Sequence, residues 1–393
     1  MSFSICPDKV YSKQSFIALW IGWFLFISCK AQTPSDPVLA SAQGSPVAMA
    51  CSPGNIAAAD VNEDGKPDLV VACSQSRSIS ILTGSGNGQF GVTAGSPLLL
   101  PCSPNEIAIG DMNGDGHADL VIGSHDSYAV IIVPGDGKGN FTVAGHLSVT
   151  MKQGSHPHTH GLGIADLNGD HSPDIVTANN ADNDIAVVIH SGTGGYVPAS
   201  GSPFAVGTSP YPLTIGELNN DGYPDIVSTS THASGRALTA LMGDGKGGFR
   251  RSDIPLRTAN PWFVAIADIN RDRIADLVMT HAERSELTVL TGNGKGEFTE
   301  VSGSPFNLGG SAWHVAVADV NRDGNPDVLA AANTGVRVMS GNGKGQFVQQ
   351  PGSPYPTGKG TWHLAVTDVN GDGRPDVATS NLESNDISVW LGQ

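Results

Sequence analysis

Positive charge is scarce in this chain. Lys and Arg total 21 of 393 residues against 37 Asp and Glu, a formal charge of −16. So few cations cannot neutralise a run of phosphates, which excludes nucleic acid as a partner. Aromatics are also few, at 6%, so any place that gathers them needs an explanation. No nucleophile elbow, phosphate loop or HExxH motif occurs, and nothing local demands catalysis. Helical patterning is nearly absent. Short Val/Ile/Leu/Ala runs alternate instead with turns rich in Asn, Gly and Pro, with 50 Gly and 25 Pro in all. That alternation implies many short strands and an all-β fold.

Long apolar runs are missing too, apart from 16–27 (FIALWIGWFLFI), which Lys9 and Lys13 precede. Such a run is too short for a comfortable membrane span and suits the core of a signal peptide. Cleavage after Ala31 would place Cys29 and Ala31 at the small-residue positions. Alternatively, 26–29 (FISC) resembles a bacterial lipobox, with Phe26 in the usual Leu place, making Cys29 a lipidated N-terminus. A third possibility is an uncleaved anchor. Each has the rest of the chain exported, secreted or as a surface or periplasmic lipoprotein, with 1–31 as leader and 32–37 as a short linker. The membrane would be touched only through a lipid on Cys29. Export removes Lys9, Lys13, Lys30 and Asp8 and moves the charge from −16 to −18. Cys51, Cys73 and Cys102 then face an oxidising compartment that permits a disulfide. Cys51 and Cys102 hold equivalent places in consecutive repeats (CSPGNI, CSPNEI), too far apart for a bond whose Cα atoms must lie within roughly 7 Å. The expected pair is Cys73 with one of the other two.

One nine-residue pattern recurs seven times. Asp60, Asn62, Asp64 and Asp68 occupy positions 1, 3, 5 and 9 of DVNEDGKPD at 60–68. The same positions hold Asp111, Asn113, Asp115 and Asp119, then Asp166, Asn168, Asp170 and Asp174, then Glu217, Asn219, Asp221 and Asp225. Copies five to seven supply Asp268, Asn270, Asp272 and Asp276, then Asp319, Asn321, Asp323 and Asp327, then Asp368, Asn370, Asp372 and Asp376. First positions are separated by 51, 55, 51, 51, 51 and 49 residues, the mark of a repeat architecture. Oxygen-bearing side chains at alternate positions around a glycine turn suit Ca²⁺, which takes about six to eight oxygens. In copy six, Asn325 would add its carbonyl. Position 12 there is Ala330, where a helix–loop–helix calcium hand needs Glu. The alternative is that these Asp and Asn residues only cap turns. Copy four must reach with the longer Glu217. Copies three and five carry His171 and Arg273 in the glycine place, where a positive φ is costly, so these are the expected weak sites, copy five above all.

Each period divides into four strands. HVAVA (314–318) enters the motif and DVLAA (327–331) leaves it. GVRVMS (335–340) runs into the glycine turn GNGKGQF (341–347), and a fourth strand carries the Phe and ends at GSP. Four strands per repeat of about fifty residues make a propeller blade. Large and small residues alternate in the first strand (Ile107, Ala108, Ile109, Gly110; Val264, Ala265, Ile266, Ala267), as suits the place where blades converge. The last period stops at Gln393, before its fourth strand. At the other end, VLASAQGSP (38–46) matches fourth strands such as FGVTAGSP (90–97) and FTEVSGSP (298–305). The expectation is a single, monomeric seven-bladed β-propeller over about 38–393, its ring closed by 38–46 in blade 7. An open edge there would invite aggregation.

These repeats resemble the FG-GAP/VCBS-type repeats of integrin α-subunit propellers and of many bacterial exported proteins; some fungal lectins have a similar ring. The resemblance covers all seven repeats. It implies Ca²⁺ in the loops between first and second strands, up to seven ions, on the bottom face. It also implies a top face made by the loops entering each first strand and those between second and third strands. For function it says little, because one fold hosts many.

Around the implied upper mouth the chain offers Gly54-Asn55, Asn105-Glu106, His160-Gly161, Tyr211-Pro212, Trp262-Phe263, Trp313-His314 and Trp362-His363. Second-strand ends add His125, Asn179, Asn180, His232, His281, Asn333 and Asn381. Three of the six Trp share one repeat position, and the loop into blade 3 is four residues longer than its counterparts and holds His156, His158 and His160. Aromatic faces that stack on sugar rings, with Asn, Glu and His binding hydroxyls, make the leading expectation a calcium-stabilised propeller that binds an extracellular glycan or protein. Its candidate ligand-binding residues are Glu106, His158, His160, Tyr211, Trp262, His281, Trp313, His314, Trp362 and His363. One rival is a propeller enzyme, a polysaccharide lyase or metal-dependent hydrolase, with His158, His160, His314 or His363 as base or ligand and Glu106 as carboxylate partner. Those four histidines would also suit a transition metal. The blandest alternative is a structural module of a surface complex whose aromatics merely plug the channel.

Overall fold

The computed structural model describes residues 37–393, apart from 155–156, 193–194, 232–236, 259 and 282. The leader with Cys29, most of the linker, His156 and His232 lie outside the described residues. In blade 6 the innermost strand Ala312–Ala318 pairs antiparallel with Asp327–Ala332, which pairs with Gly335–Gly341, which pairs with Phe347–Gln349. Seven such sheets occur. Each innermost strand touches the next, and the last, Thr361–Thr367, touches the first, Ile56–Ala59, so the sheets close into a seven-bladed β-propeller.

The alternation of the innermost strands has a steric cause. A Cβ on Gly110 would lie 2.7 Å from Ile164 Cδ1, one on Gly163 2.5 Å from Ile215 Cδ1, and one on Gly216 2.9 Å from Ile266 Cδ1. The small residue of one blade thus receives the isoleucine of the next. Second strands, such as Asp327–Ala332, are buried along their whole length because blades stack face to face. Val278 and Val289 of blade 5, for example, share a core cluster with Val315, Val328 and Met339 of blade 6.

The GSP turns staple the outer edge. Ser96 Oγ accepts the third-strand N–H of Ile81 at 2.9 Å, and Ser202, Ser304, Ser353 and Ser45 do the same for Val187, Val289, Val338 and Val389. In blade 4, which has no GSP, the outer strand Phe249–Pro255 runs unbroken along Ala237–Gly243. Blade 7 is completed as expected: Leu39–Ser41 pairs with 390–392, and Val47–Ala48 with 386–387. Cys73 bonds to Cys51, with Cα atoms 5.9 Å apart, and Cys102 is free and buried.

Candidate functional site

The nine-residue loops fold alike, around their own acidic side chains. In copy six, the Asp323 N–H donates to Asp319 Oδ1 at 3.1 Å and Asn321 Oδ1 at 2.8 Å, and Gly324 N–H donates to Asp319 Oδ2 at 2.9 Å. Positions 4 and 6 are left-handed throughout, here Arg322 at φ 57° and Gly324 at φ 83°. Copies three and five keep the same loop: His171 and Arg273 both sit at φ 67° and still donate to position 1 at 2.8 Å. Glu217 bends its longer side chain back onto its own loop, accepting the N–H groups of Asn219 and Gly222.

Position 9 has a role that the spacing did not announce. Asp327 is fully buried; its Oδ2 accepts from Val320 N at 3.1 Å and its Oδ1 from Gly341 N at 2.9 Å, at the end of the third strand. The same two bonds recur at Asp68, Asp119, Asp174, Asp225, Asp276 and Asp376. Burial, reinforced by the carboxylate at position 5, pushes Asp327 up to about 7, and Asp174, Asp225, Asp276 and Asp376 up to about 6. Carboxylate and amide oxygens crowded on one loop are a donor set that fits a hard divalent cation, with positions 1, 3, 5 and 9 as the groups to hold it.

At the other end of the innermost strands the ladder slips. Register shifts fall between Pro104 and Ile107, His160 and Leu162, Pro210 and Leu213, Ala312 and His314, and Thr361 and His363. A bulge of this kind re-aims the extra side chain. The residues set out of register are Asn105 and Glu106, Gly161, Tyr211 and Pro212, Trp313 and Trp362, nearly the set singled out by repeat position. Trp262 precedes its strand, donating its N–H to Thr280 O at 2.7 Å.

The indoles do not stand apart around an open concavity. Ring centroids lie 4.6 Å apart for Tyr211 and Trp262, 5.2 Å for Trp262 and Trp313, and 5.1 Å for Trp313 and Trp362. Trp313 Nε1 donates to Asn333 Oδ1 at 3.0 Å. The space left among these rings, Glu106, His314 and His363 is about 20 Å³. Bulges on neighbouring converging strands bring the aromatics onto one another, so they form a half-buried cap.

Beneath the cap lies a cavity of about 190 Å³ lined by Asn55, Glu106, Phe263, His314 and His363 among others, roughly six waters' share of liquid volume. Asn55 Nδ2 donates to Glu106 Oε2 at 2.5 Å and meets His363 Nε2 at 3.2 Å. Burial pushes the Glu106 carboxyl up to about 7, the His363 imidazole down to about 3 and His314 well below its usual range, so both imidazoles are neutral. Asn55 Oδ1 and His314 Nδ1 are buried with no hydrogen-bond partner among the described residues. His281 is not brought here: it is 1% exposed, its Nε2 2.9 Å from Thr288 Oγ1 in the third strand of its own blade.

The histidines pooled by sequence divide into two groups. His314 and His363 pack against each other, their rings tilted by 43° with centroids 3.6 Å apart. His158 and His160 instead join His125, one nitrogen of each lying within 4.8 Å of the others. His125 was visible only as a second-strand end. What ties it to blade 3 is the ring order, which sets the end of one blade's second strand beside the next blade's entry.

A sequence profile of the FG-GAP-like repeat matches at 60–122, 111–177, 166–228, 218–279, 271–330 and 319–379. No curated protein sequence gives a significant match. BBS1N, solved in complex with ARL6DN and soaked with lead, superposes with a TM-score of 0.62 at 13% identity, covering 91% of this chain and 97% of that one. An Agrocybe aegerita lectin, solved for its recognition of non-reducing terminal N-acetylglucosamine, gives 0.52 at 17% identity over 76% of this chain and 79% of its own. A provisional 6-phosphogluconolactonase of Bacteroides uniformis gives 0.56 at 11% identity, over 75% and 83%. At these identities the likeness is one of fold alone. The profile matches, by contrast, run in phase with the nine-residue loops across 60–379, and the chain belongs to the FG-GAP-like repeat family.

Proposed function

We propose that this is an exported, calcium-stabilised propeller that binds an extracellular carbohydrate through its aromatic cap. One observation carries this: Tyr211, Trp262, Trp313 and Trp362, on four consecutive blades, make a continuous half-buried aromatic surface over a polar cavity. A contiguous aromatic patch left partly open to solvent is a mark of a binding face. Flat indole faces match the C–H faces of pyranose rings, and indole N–H groups, Asn and Glu suit the hydroxyls at their rims. Export is supported by the apolar run behind Lys9 and Lys13 and by the Cys51–Cys73 bond, which an oxidising compartment sustains. Calcium is supported by the crowded carboxylates of the loops.

A glycan array probed with the purified protein in excess Ca²⁺ tests this, followed by calorimetry on the best glycan. Trp313→Ala and Trp362→Ala are each expected to weaken binding by about tenfold or more, the scale of a lost aromatic anchor. An array with no retained glycan overturns the carbohydrate assignment, and so does a hit whose affinity neither variant changes.

A further inference from the structure

Beside the aromatic cap, three imidazoles from two blades meet at the surface. His125 follows the second strand of blade 2, Asp119–Ser124, and its N–H donates to Ser103 O at 3.0 Å. His158 precedes the innermost strand of blade 3, Thr159–Ala165, and its carbonyl accepts from Asn180 N at 2.8 Å. His160 lies within that strand, 4% exposed, its ring stacked on Tyr211 with centroids 3.7 Å apart. The three rings approach with centroids 4.6 to 5.0 Å apart. Each is therefore held by a backbone anchor or by packing, the preorganisation a ligand set needs.

We infer that His125, His158 and His160 form a transition-metal site, of the kind that takes Zn²⁺ on three imidazoles and leaves a fourth position to water or a ligand. Borderline divalent ions prefer such neutral nitrogen donors, and a three-histidine set with an open position is an established arrangement for zinc. His125 is exposed, so the open position faces solvent. The surrounding hydrogen bonds suit this too. Asn105 Nδ2 lies 2.8 Å from both Thr159 O and His160 Nδ1, so His160 accepts there and carries its proton on Nε2. That proton is shared with His158 Nε2 at 2.7 Å. A cation entering between the two rings takes the proton's place. His160 then carries it on Nδ1, and the Asn105 amide turns its oxygen to accept it, giving up the bond to Thr159. A second partner of that kind, fixing the tautomer of a ligating histidine, is usual at metal sites. His314 and His363 take no part, being packed on each other beneath the cap.

Calorimetric titration of the purified protein with Zn²⁺, in excess Ca²⁺ so that the acidic loops do not compete, tests the site. The expected result is one Zn²⁺ per chain, with affinity reduced at least about tenfold in His125→Ala and in His158→Ala. His146→Ala, in the outer part of blade 2, should leave it unchanged. Because His125 is exposed, His125→Ala should melt with the parent, which separates lost ligation from lost fold. The site is overturned if no stoichiometric zinc binds, or if zinc binds equally well to both ligand variants. Neither result bears on glycan binding, which is read separately.

Discussion

Leu39 and Gly392 are register partners in one antiparallel ladder, although they stand at opposite ends of the described chain. Val38 and Leu39 are almost wholly buried, and Val38 N–H donates to the Tyr355 hydroxyl at 2.9 Å. The short strand Leu39–Ser41 therefore closes blade 7 and covers the edge of the strand Asp386–Gly392.

Deleting 38–48 is expected to lower stability by roughly 5 kcal/mol, counting about 1.5–3 kcal/mol for each large apolar side chain taken from the core. Exposing a long strand edge should add a tendency to aggregate. Differential scanning calorimetry against the parent checks this, and an unchanged melting temperature would refute the closure.

Arg273→Gly should stabilise the protein by about 1 kcal/mol. Arg273 sits at φ 67°, a conformation that costs a side-chain-bearing residue about 1–2 kcal/mol; glycine's extra freedom in the unfolded chain takes back part of that gain. The side chain is exposed, so nothing else is lost. Urea denaturation should show a higher midpoint at unchanged slope, and a lower midpoint would mean that the arginine is held by a contact that matters.

The ring was legible in the sequence because it is written seven times: periodic loops fix the blades, and small residues opposite isoleucines fix how blades meet. The site was legible only as a set of positions. Trp313 and Trp362 could be assigned to the mouth, but not that bulges at Ala312/His314 and Thr361/His363 would bring their rings together. A bulge inserts a residue without altering residue type, so it leaves no periodic trace. His281 shows the opposite failure: it too stands at a second-strand end, but one repeat position earlier than His125, which turns it inward, where its nitrogen is taken by Thr288.

Glu106 makes stability depend on pH in a stated direction. Its carboxyl is raised from 4.5 to about 7 by burial, so between those values the folded chain holds a proton that the unfolded chain has released. Stability from this group is complete below about 4.5, falls as pH rises toward 7, and stays low above it. Glu106→Gln keeps an oxygen for Asn55 Nδ2 and removes the titration. The variant should match the parent near pH 4.5 and exceed it at pH 8, by on the order of 1 kcal/mol for a group that keeps some solvent. A melting-temperature difference between variant and parent that does not grow over that range would show that the cavity hydrates the charged carboxylate.

Calcium and the position-9 staple can be separated within one loop. Asp323→Asn keeps the oxygen that accepts Asn325 N–H at 2.7 Å and removes the charge that would hold a cation. Asp327→Ala leaves the Val320 and Gly341 N–H groups without their carboxylate, at a cost of about 1–3 kcal/mol each whether or not metal is bound. A site filled at ten times its dissociation constant stabilises the fold by about 1.4 kcal/mol. In excess Ca²⁺ both variants should therefore melt below the parent. In EDTA the parent should itself melt several degrees lower, the Asp323→Asn deficit should vanish, and the Asp327→Ala deficit should persist. If the parent's melting curve is the same with Ca²⁺ and with EDTA, the loops hold their shape by hydrogen bonds alone. The acidic side chains would then be turn caps and nothing more.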